Sequence, residues 1–431
     1  MDAKSLKLKI KEVQDLYQSD DRPWIIGYSG GKDSTCVLQL IYMAISKLPK
    51  KSLKKDIWVI CGDTLVEIPT VVERIDTSLD KLNSKAKEAG LPIKGLKVYP
   101  QVNDSFFVNV IGKGYPSPTR TFRWCTERLK IDPASEFIKT KVDKYGEAII
   151  VLGARKSESM SRAQTLKKYS RKGELLKKHN TLPSALVYAP IEDWDLKDVW
   201  TFLGTFDSPW DDDNKDLVMM YQKAGGDECP MVIDTSTPSC GNSRFGCWVC
   251  TVVEQDKSIQ GFIENGETWL EPMAEFRNMI LAMREDRENH RVVDESRIGG
   301  YGPFKPKSRQ LILKELFKVE KAMFEKYKQR IIRFEELLAI QTIWDRKGIK
   351  DVTVRDIWND VYGIDEKSPV KDFDEELLLV ELCKKNDVPY EMIKNMLIDE
   401  RDLSKFTRRK NIFIRIDNHL EEQIKESHAN T

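Results

Sequence analysis

Trp24-Ile25-Ile26-Gly27-Tyr28-Ser29-Gly30-Gly31-Lys32-Asp33-Ser34-Thr35 decides the fold. Trp24 to Ile26 is an apolar run of strand length, Gly27 to Gly31 turn the chain sharply, and Ser34-Thr35-Cys36-Val37-Leu38 opens a helical pattern. Strand, glycine turn and helix start in that order make an anion cradle. Gly30 and Gly31 let backbone N–H groups approach an oxyanion, the helix N-terminus adds partial positive charge, and Lys32 adds a full one. Ser29 and Ser34 offer hydroxyls. A Walker A loop needs G-x-x-x-x-G-K followed by Ser or Thr; here Gly27 is misplaced and Asp33 follows the lysine.

On either side, strands and helices alternate. Leu6, Ile10, Val13, Leu16 and Tyr17 place a packing helix within residues 1 to 20. After the glycine turn a helix runs to about Lys47, Asp56 to Gly62 reads as a second buried strand, and Asp63 sits just past its carboxyl end. Val71, Val72, Ile75, Leu79, Leu82 and Ala86 predict a helix closing at Gly90, followed by a strand near Lys94 to Tyr99. A further helix at Asp132 to Lys144 and a strand at Ala148 to Leu152 complete an α/β pattern. Such a pattern predicts a doubly wound parallel sheet with ligands at the carboxyl ends of its strands, where Ser29, Asp63 and Gly153 to Arg155 all fall.

Ser-Gly-Gly-Lys-Asp-Ser, Ser29 to Ser34, resembles the PP-loop of the ATP pyrophosphatases, which split ATP into AMP and pyrophosphate. Four further strings resemble the phosphoadenylylsulfate (PAPS) reductase family in the same order. They are Asp63-Thr64 with Glu67 and Pro69; Cys125 with Lys130 and Pro133; Gly153, Arg155, Glu158-Ser159 and Arg162-Ala163; and Pro190-Ile191 to Trp194 with Asp198-Val199-Trp200. The resemblance implies a nucleotide site on Ser29, Gly30, Gly31, Lys32, Asp33, Ser34, Asp63, Gly153, Arg155 and Arg162, with ATP and Mg²⁺ as ligands. Lys32, Asp33, Cys125 and Arg155 are its catalytic candidates.

The residue types suit those roles. Asp63 and Asp33 are oxygen donors for ribose or Mg²⁺, although an aspartate at a strand end also serves as a turn cap. Arg155 and Arg162 offer planar forks for phosphate or sulfonate oxygens. Trp194 and Trp200 read as core beneath the sheet edge rather than stacking platforms. Cys125 lies among Arg120, Arg123, Arg128 and Lys130, charges expected to favour its thiolate, and so is a candidate sulfur carrier or else a small packing residue.

The 431 residues allow two or three domains, and no apolar run approaches a membrane span of ~18 residues. The N-terminal segment carries no apolar h-region, so a cytoplasmic location is expected. With 70 basic and 69 acidic residues, net charge says nothing about nucleic acid. Local runs do: Arg155 to Lys178 holds nine Lys or Arg against two Glu, a candidate polyanion track, and Arg401 to Lys410 is a second basic cluster. None of His179, His290, His419 and His428 has a catalytic setting.

Of eight cysteines, four form Cys229-x10-Cys240-x6-Cys247-x2-Cys250. In a chain expected to be cytosolic this favours a metal over disulfides, and four thiolates suit zinc or an iron–sulfur cluster alike. Sulfonucleotide reductases carry a Cys-Cys pair and a cysteine near the C-terminus; here Thr126 follows Cys125 and no cysteine follows Cys383. Ser239 to Cys250, together with Gly299 to Phe304, resembles the DndC/SspD-type sulfurtransferase components of DNA phosphorothioation. That resemblance implies a [4Fe–4S] cluster on the four cysteines, DNA as substrate, a cysteine desulfurase as sulfur donor, other phosphorothioation proteins as partners and a restriction–modification setting. A PAPS reductase-like sulfonucleotide enzyme and a tRNA-thiolating PP-loop enzyme are the alternatives. The expected division is a PP-loop domain at 1–228, a cluster loop with following helices at 229–305, and a helical C-terminal domain at 306–431, in which Leu311 to Trp344 is a long charged amphipathic stretch.

Overall fold

The structure, a computed structural model, describes residues 3–158, 175–179, 181–223, 246–296, 299–327, 330–363 and short pieces between 379 and 421. Strands β1 (Trp24–Gly27), β2 (Ile57–Gly62), β3 (Ile93–Val98), β4 (Ala148–Val151), β5 (Lys177–Lys178) and β6 (Ala185–Tyr188) form one sheet in the order β3-β2-β1-β4-β6-β5. Every pairing is parallel except that of β5, a two-residue edge strand antiparallel to β6.

Period-two alternation assigns the faces. Ile25, Trp58, Ile60 and Ile150 pack on Phe137 and Ile138 of helix α4 (Asp132–Tyr145). Trp24, Ile26, Val59, Ile149 and Val151 face the opposite way, toward helices α1 (Ala3–Gln18), α2 (Lys32–Ile45) and α3 (Pro69–Ala89). Both faces being covered there, the central strands β1, β2 and β4 carry no charged residue, whereas the outer strand β3 carries Lys94 and Lys97. Trp24 is fully buried, with Tyr17 and Tyr188 set against its ring at 5.6 and 5.9 Å between centroids; truncating such a side chain to alanine costs about 3–5 kcal/mol. Gly90 ends α3 at φ 64°, as its sequence position predicts.

The chain winds from β1 outward to β3, then crosses back to place β4 on the other side of β1. That reversal is the switch point of a doubly wound sheet, and a crevice opens there between the carboxyl ends of β1 and β4. Both the glycine turn and Gly153 to Arg155 stand at it.

Beyond the sheet come helices α5 (Leu196–Thr205), α6 (Asn214–Lys223), α7 (Lys257–Glu264) and α8 (Glu271–Glu285), then the hairpin β7 (Arg291–Val293) and β8 (Tyr301–Phe304). The Leu311 to Trp344 stretch forms two helices, α9 (Pro306–Tyr327) and α10 (Phe334–Arg346). Glu320 of α9 causes the break: its carboxylate accepts the N–H groups of Ile331 and Ile332 at 2.8 and 3.3 Å, turning the chain back. α10 then packs on the wide helical turn Val108–Lys113, where Trp344 is fully buried and donates Nε1–H to the Ile111 carbonyl at 3.0 Å. Gly112 makes room, since a Cβ there would meet Ile343 at 3.2 Å. α11 (Val354–Tyr362) closes the layer. Among the described residues no helix is long and apolar enough to cross a membrane.

Candidate functional site

The loop after β1 folds back on itself. Ser34 Oγ donates to the Gly31 carbonyl at 3.0 Å and accepts the Ser29 N–H at 3.2 Å, so the two serines close the turn. Gly30 takes φ 68°, a left-handed conformation that an L side chain resists. Arg74 of α3 fixes it from behind, donating Nη1–H to the Gly30 carbonyl at 3.1 Å. Gly31, the residue before α2, has no side chain to cap it, so the first turn of that helix presents N–H groups toward an anion, that of Lys32 being met by the Tyr221 hydroxyl at 3.3 Å. Lys32 stands beside those donors, nine-tenths buried.

At the end of β4, Gly153 lies against α2; a Cβ there would come 2.8 Å from the Asp33 carbonyl carbon. Two residues later Arg155, almost fully buried, donates Nε–H to Asp33 Oδ1 at 2.6 Å and Nη1–H to Ser157 Oγ at 3.0 Å. Asp33 Oδ2 sits 4.0 Å from the Lys32 ammonium. The structure therefore brings Ser29, Gly30, Gly31, Lys32, Asp33, Ser34, Gly153 and Arg155 together. Arg162 lies outside the described residues, as do Cys229, Cys240, His428, most of the Arg155 to Lys178 run and the Arg401 to Lys410 cluster.

Asp63 stands at the carboxyl end of β2, and both its oxygens are engaged. Oδ1 accepts the Leu65 N–H at 2.9 Å and Oδ2 lies 3.1 Å from Lys97 Nζ. It thus caps a turn in which Leu65 adopts φ 64°. Burial works against the Lys97 ammonium, yet Asp76 and Asp63 outweigh it and hold Lys97 above the ordinary lysine range. Of the two carboxylates, Asp33 is the better placed to hold a cation, because among the described residues its Oδ2 makes only the longer contact with Lys32.

The same turn faces the cysteines with its other side. Thr64 Oγ1 lies 3.3 Å from Cys247 Sγ and donates to Glu67 Oε1 at 2.6 Å, while the Trp248 N–H donates to the Val66 carbonyl at 2.9 Å. Trp248, fully buried between Phe107 and Phe276, anchors the Cys247-x2-Cys250 turn. Buried Arg277 of α8 donates to the carbonyls of Cys250 at 2.9 Å, of Glu254 at 2.7 Å and of Val253. Thr251 Oγ1 reaches the Pro118 carbonyl at 2.8 Å, which ties this turn to the segment carrying Cys125.

Cys125, Cys247, Cys250 and the Lys130 ammonium consequently lie within electrostatic reach of one another. Burial pushes the Cys247 thiol up to about 12, and burial with the Asp63 charge raises Glu67 to about 7. Cys125 corrects its sequence reading. Burial, and then the nearby Cys250, raise its thiol, outweighing the Thr126 hydrogen bond and the charges of Lys130 and Arg123. Among the described residues no group of three or more His, Cys, Asp or Glu side chains is placed to hold a metal ion. The chemistry of the Cys247-x2-Cys250 turn fits one edge of a four-thiolate site.

Residues 23–253, more than half of the chain, match the phosphoadenosine phosphosulfate reductase domain. The chain belongs to that family. Two uncharacterised proteins of Methanocaldococcus jannaschii are similar to it, at 27% identity over 61% of this chain and 24% over 58%. The chain spans less than half the length of these relatives, 44% and 46%. Among solved structures, a PAPS reductase from Candida auris in complex with phosphate aligns over 48% of this chain and 87% of its own, with 15% identity and a TM-score of 0.29. A U34-tRNA thiolase from Methanococcus maripaludis with its [4Fe–4S] cluster aligns over 68% and 84%, with 12% identity and a TM-score of 0.28.

Within the matched span of this PAPS reductase-domain protein, three site residues carried no sequence signal as such: Arg74, Lys97 and Tyr221, whose hydroxyl accepts the Lys32 N–H at 3.3 Å. Arg74 and Lys97 lie on the amphipathic faces of α3 and β3, where a basic residue reads as solvated. Tyr221 lies on α6, which follows the last recognisable string.

Proposed function

We propose that the protein is a PP-loop ATP pyrophosphatase that cleaves ATP to AMP and pyrophosphate and thereby drives incorporation of sulfur into the DNA backbone. The observation carrying the first half is the glycine-led N-terminus of α2, with buried Lys32, at the switch point of the sheet. In this reading the loop N–H groups and Lys32 hold the departing pyrophosphate. Arg155, kept in place by Asp33, turns its remaining guanidinium N–H groups to the α-phosphate, and Asp33 Oδ2 shares the Mg²⁺ that arrives with ATP.

The DndC/SspD-type assignment rests on Ser239 to Cys250. Cys229, Cys240, Cys247 and Cys250 are the ligands proposed for a [4Fe–4S] cluster, which would supply electron transfer or labile sulfide. Cys125, adjoining that site, is the candidate carrier of sulfur from a cysteine desulfurase. Reduction of a sulfonucleotide is the second reading and draws on family membership; Thr126 in place of a second cysteine weighs against it. Sulfur-35 cysteine, a desulfurase, ATP and the protein, offered DNA or tRNA, test the assignment. Label in nuclease-resistant DNA dinucleotides is expected; label in tRNA alone, or sulfite released from PAPS, overturns it.

A further inference from the structure

Lys32 is not held by the phosphate loop alone. Its backbone N–H donates to the hydroxyl of Tyr221 at 3.3 Å, and its ammonium lies 4.9 Å from the centre of the Tyr221 ring. One side chain from α6 thus touches both ends of the same lysine. Tyr221 is itself fixed: it is 6% exposed, and its ring meets Trp200 of α5 edge-on at 5.4 Å and 88°. The hydroxyl also approaches the loop so closely that a Cβ on Gly31 would be 3.3 Å away.

We propose that Tyr221 is a positioning residue for Lys32, with its ring holding the ammonium toward the crevice; as a role in nucleotide binding this rests on the reading of Ser29 to Ser34 given above. A lysine side chain has four rotatable bonds and loses considerable freedom when aimed at one point. In a partly desolvated site the face of an aromatic ring offsets part of that loss without competing for the phosphate, because it attracts cations and repels anions. Asp33 Oδ2 faces the same ammonium at 4.0 Å, and the ring adds its hold without a second negative charge. The hydroxyl plays a separate part. It occupies one first-turn N–H of α2, so an incoming phosphate oxygen has to share that donor or displace the hydroxyl.

The two parts separate by substitution. Tyr221→Phe keeps the ring and frees the N–H; Tyr221→Met keeps an apolar side chain and removes the aromatic face. Competitive acetylation of the full chain, read lysine by lysine by mass spectrometry without nucleotide, reports how Lys32 is held. Tyr221→Met is expected to raise Lys32 labelling several-fold relative to exposed Lys47, and Tyr221→Phe to leave it within about twofold. ATP affinity measured by calorimetry is expected to fall roughly tenfold in Tyr221→Met, to hold or improve in Tyr221→Phe, and to show no further loss when Tyr221→Met is combined with Lys32→Ala. Unchanged Lys32 labelling in Tyr221→Met overturns the proposal, as does the same loss of affinity with and without Lys32. If Tyr221→Met does not fold, the Phe variant decides, since unprotected Lys32 there removes the ring's role. Failure of the unaltered chain to bind ATP contradicts the nucleotide reading and leaves the labelling result to judge Tyr221.

Discussion

Arg155 at the end of β4 donates to Asp33 in the first turn of α2 at 2.6 Å, and this ion pair joins the two strand ends between which the crevice opens. The arginine is almost fully buried and the aspartate largely so. Removing Asp33 leaves Arg155 desolvated without its counter-charge, with the Ser157 hydroxyl still accepting from it. Asp33→Ala is therefore expected to cost about 2–4 kcal/mol of stability, visible as a lower urea midpoint. Arg155→Lys keeps the charge but loses the fork, and activity is expected to fall at least tenfold with a smaller change in midpoint. Equal midpoints for Asp33→Ala and the unaltered protein would show the pair to be unimportant.

Gly153 sets how closely β4 and α2 approach. Since its Cβ would lie 2.8 Å from the Asp33 carbonyl carbon, Gly153→Ala must push the loop away from the sheet. Loss of ATP binding by more than tenfold is expected while far-ultraviolet circular dichroism stays native, because the strand itself is unaltered. Calorimetry with ATP on the folded variant checks this, and native affinity would contradict the close approach.

The cysteine site divides into separable parts. Cys247→Ser and Cys250→Ser are expected to abolish visible absorbance and bound iron in anaerobically purified protein, while ATP cleavage persists at reduced rate. Cys125→Ser is expected to keep iron and ATP cleavage and to lose sulfur transfer to DNA. Iron, zinc and sulfide analysis beside a phosphorothioate assay checks all three variants. Stoichiometric zinc without sulfide rejects the cluster, and unaltered DNA modification in Cys125→Ser removes that residue as carrier.

The parallel sheet was legible because its signals are local. Trp24 to Thr35 announces strand, turn and helix within twelve residues, and Gly90 marks the end of α3 by a conformation that glycine adopts readily. What escaped depends on tertiary contact. Tyr221 reaches Lys32 across 189 positions of chain, and Trp344 reaches Ile111 across 233. Asp63 shows a subtler limit: its motif pointed to nucleotide, whereas its oxygens cap the Leu65 turn and pair with Lys97, and its neighbour Thr64 turns to Cys247. The raised Cys125 thiol was likewise hidden, since a run of arginines gives charge but not burial. The Leu311 to Trp344 pattern concealed its break because Glu320, which makes the turn, reads as one more exposed charge of an amphipathic helix.

The central claim is cleavage between the α and β phosphates, and product analysis tests it most directly. ATP labelled with carbon-14 in the adenine ring is incubated with Mg²⁺ and the full chain, alone and with DNA, and the nucleotides are separated alongside an assay for pyrophosphate. The account predicts AMP and pyrophosphate in equal amounts, with Lys32→Ala slowed by about two orders of magnitude, as for loss of a charge that stabilises the departing phosphates. ADP and orthophosphate as the main products, or equal rates with and without Lys32, would contradict it.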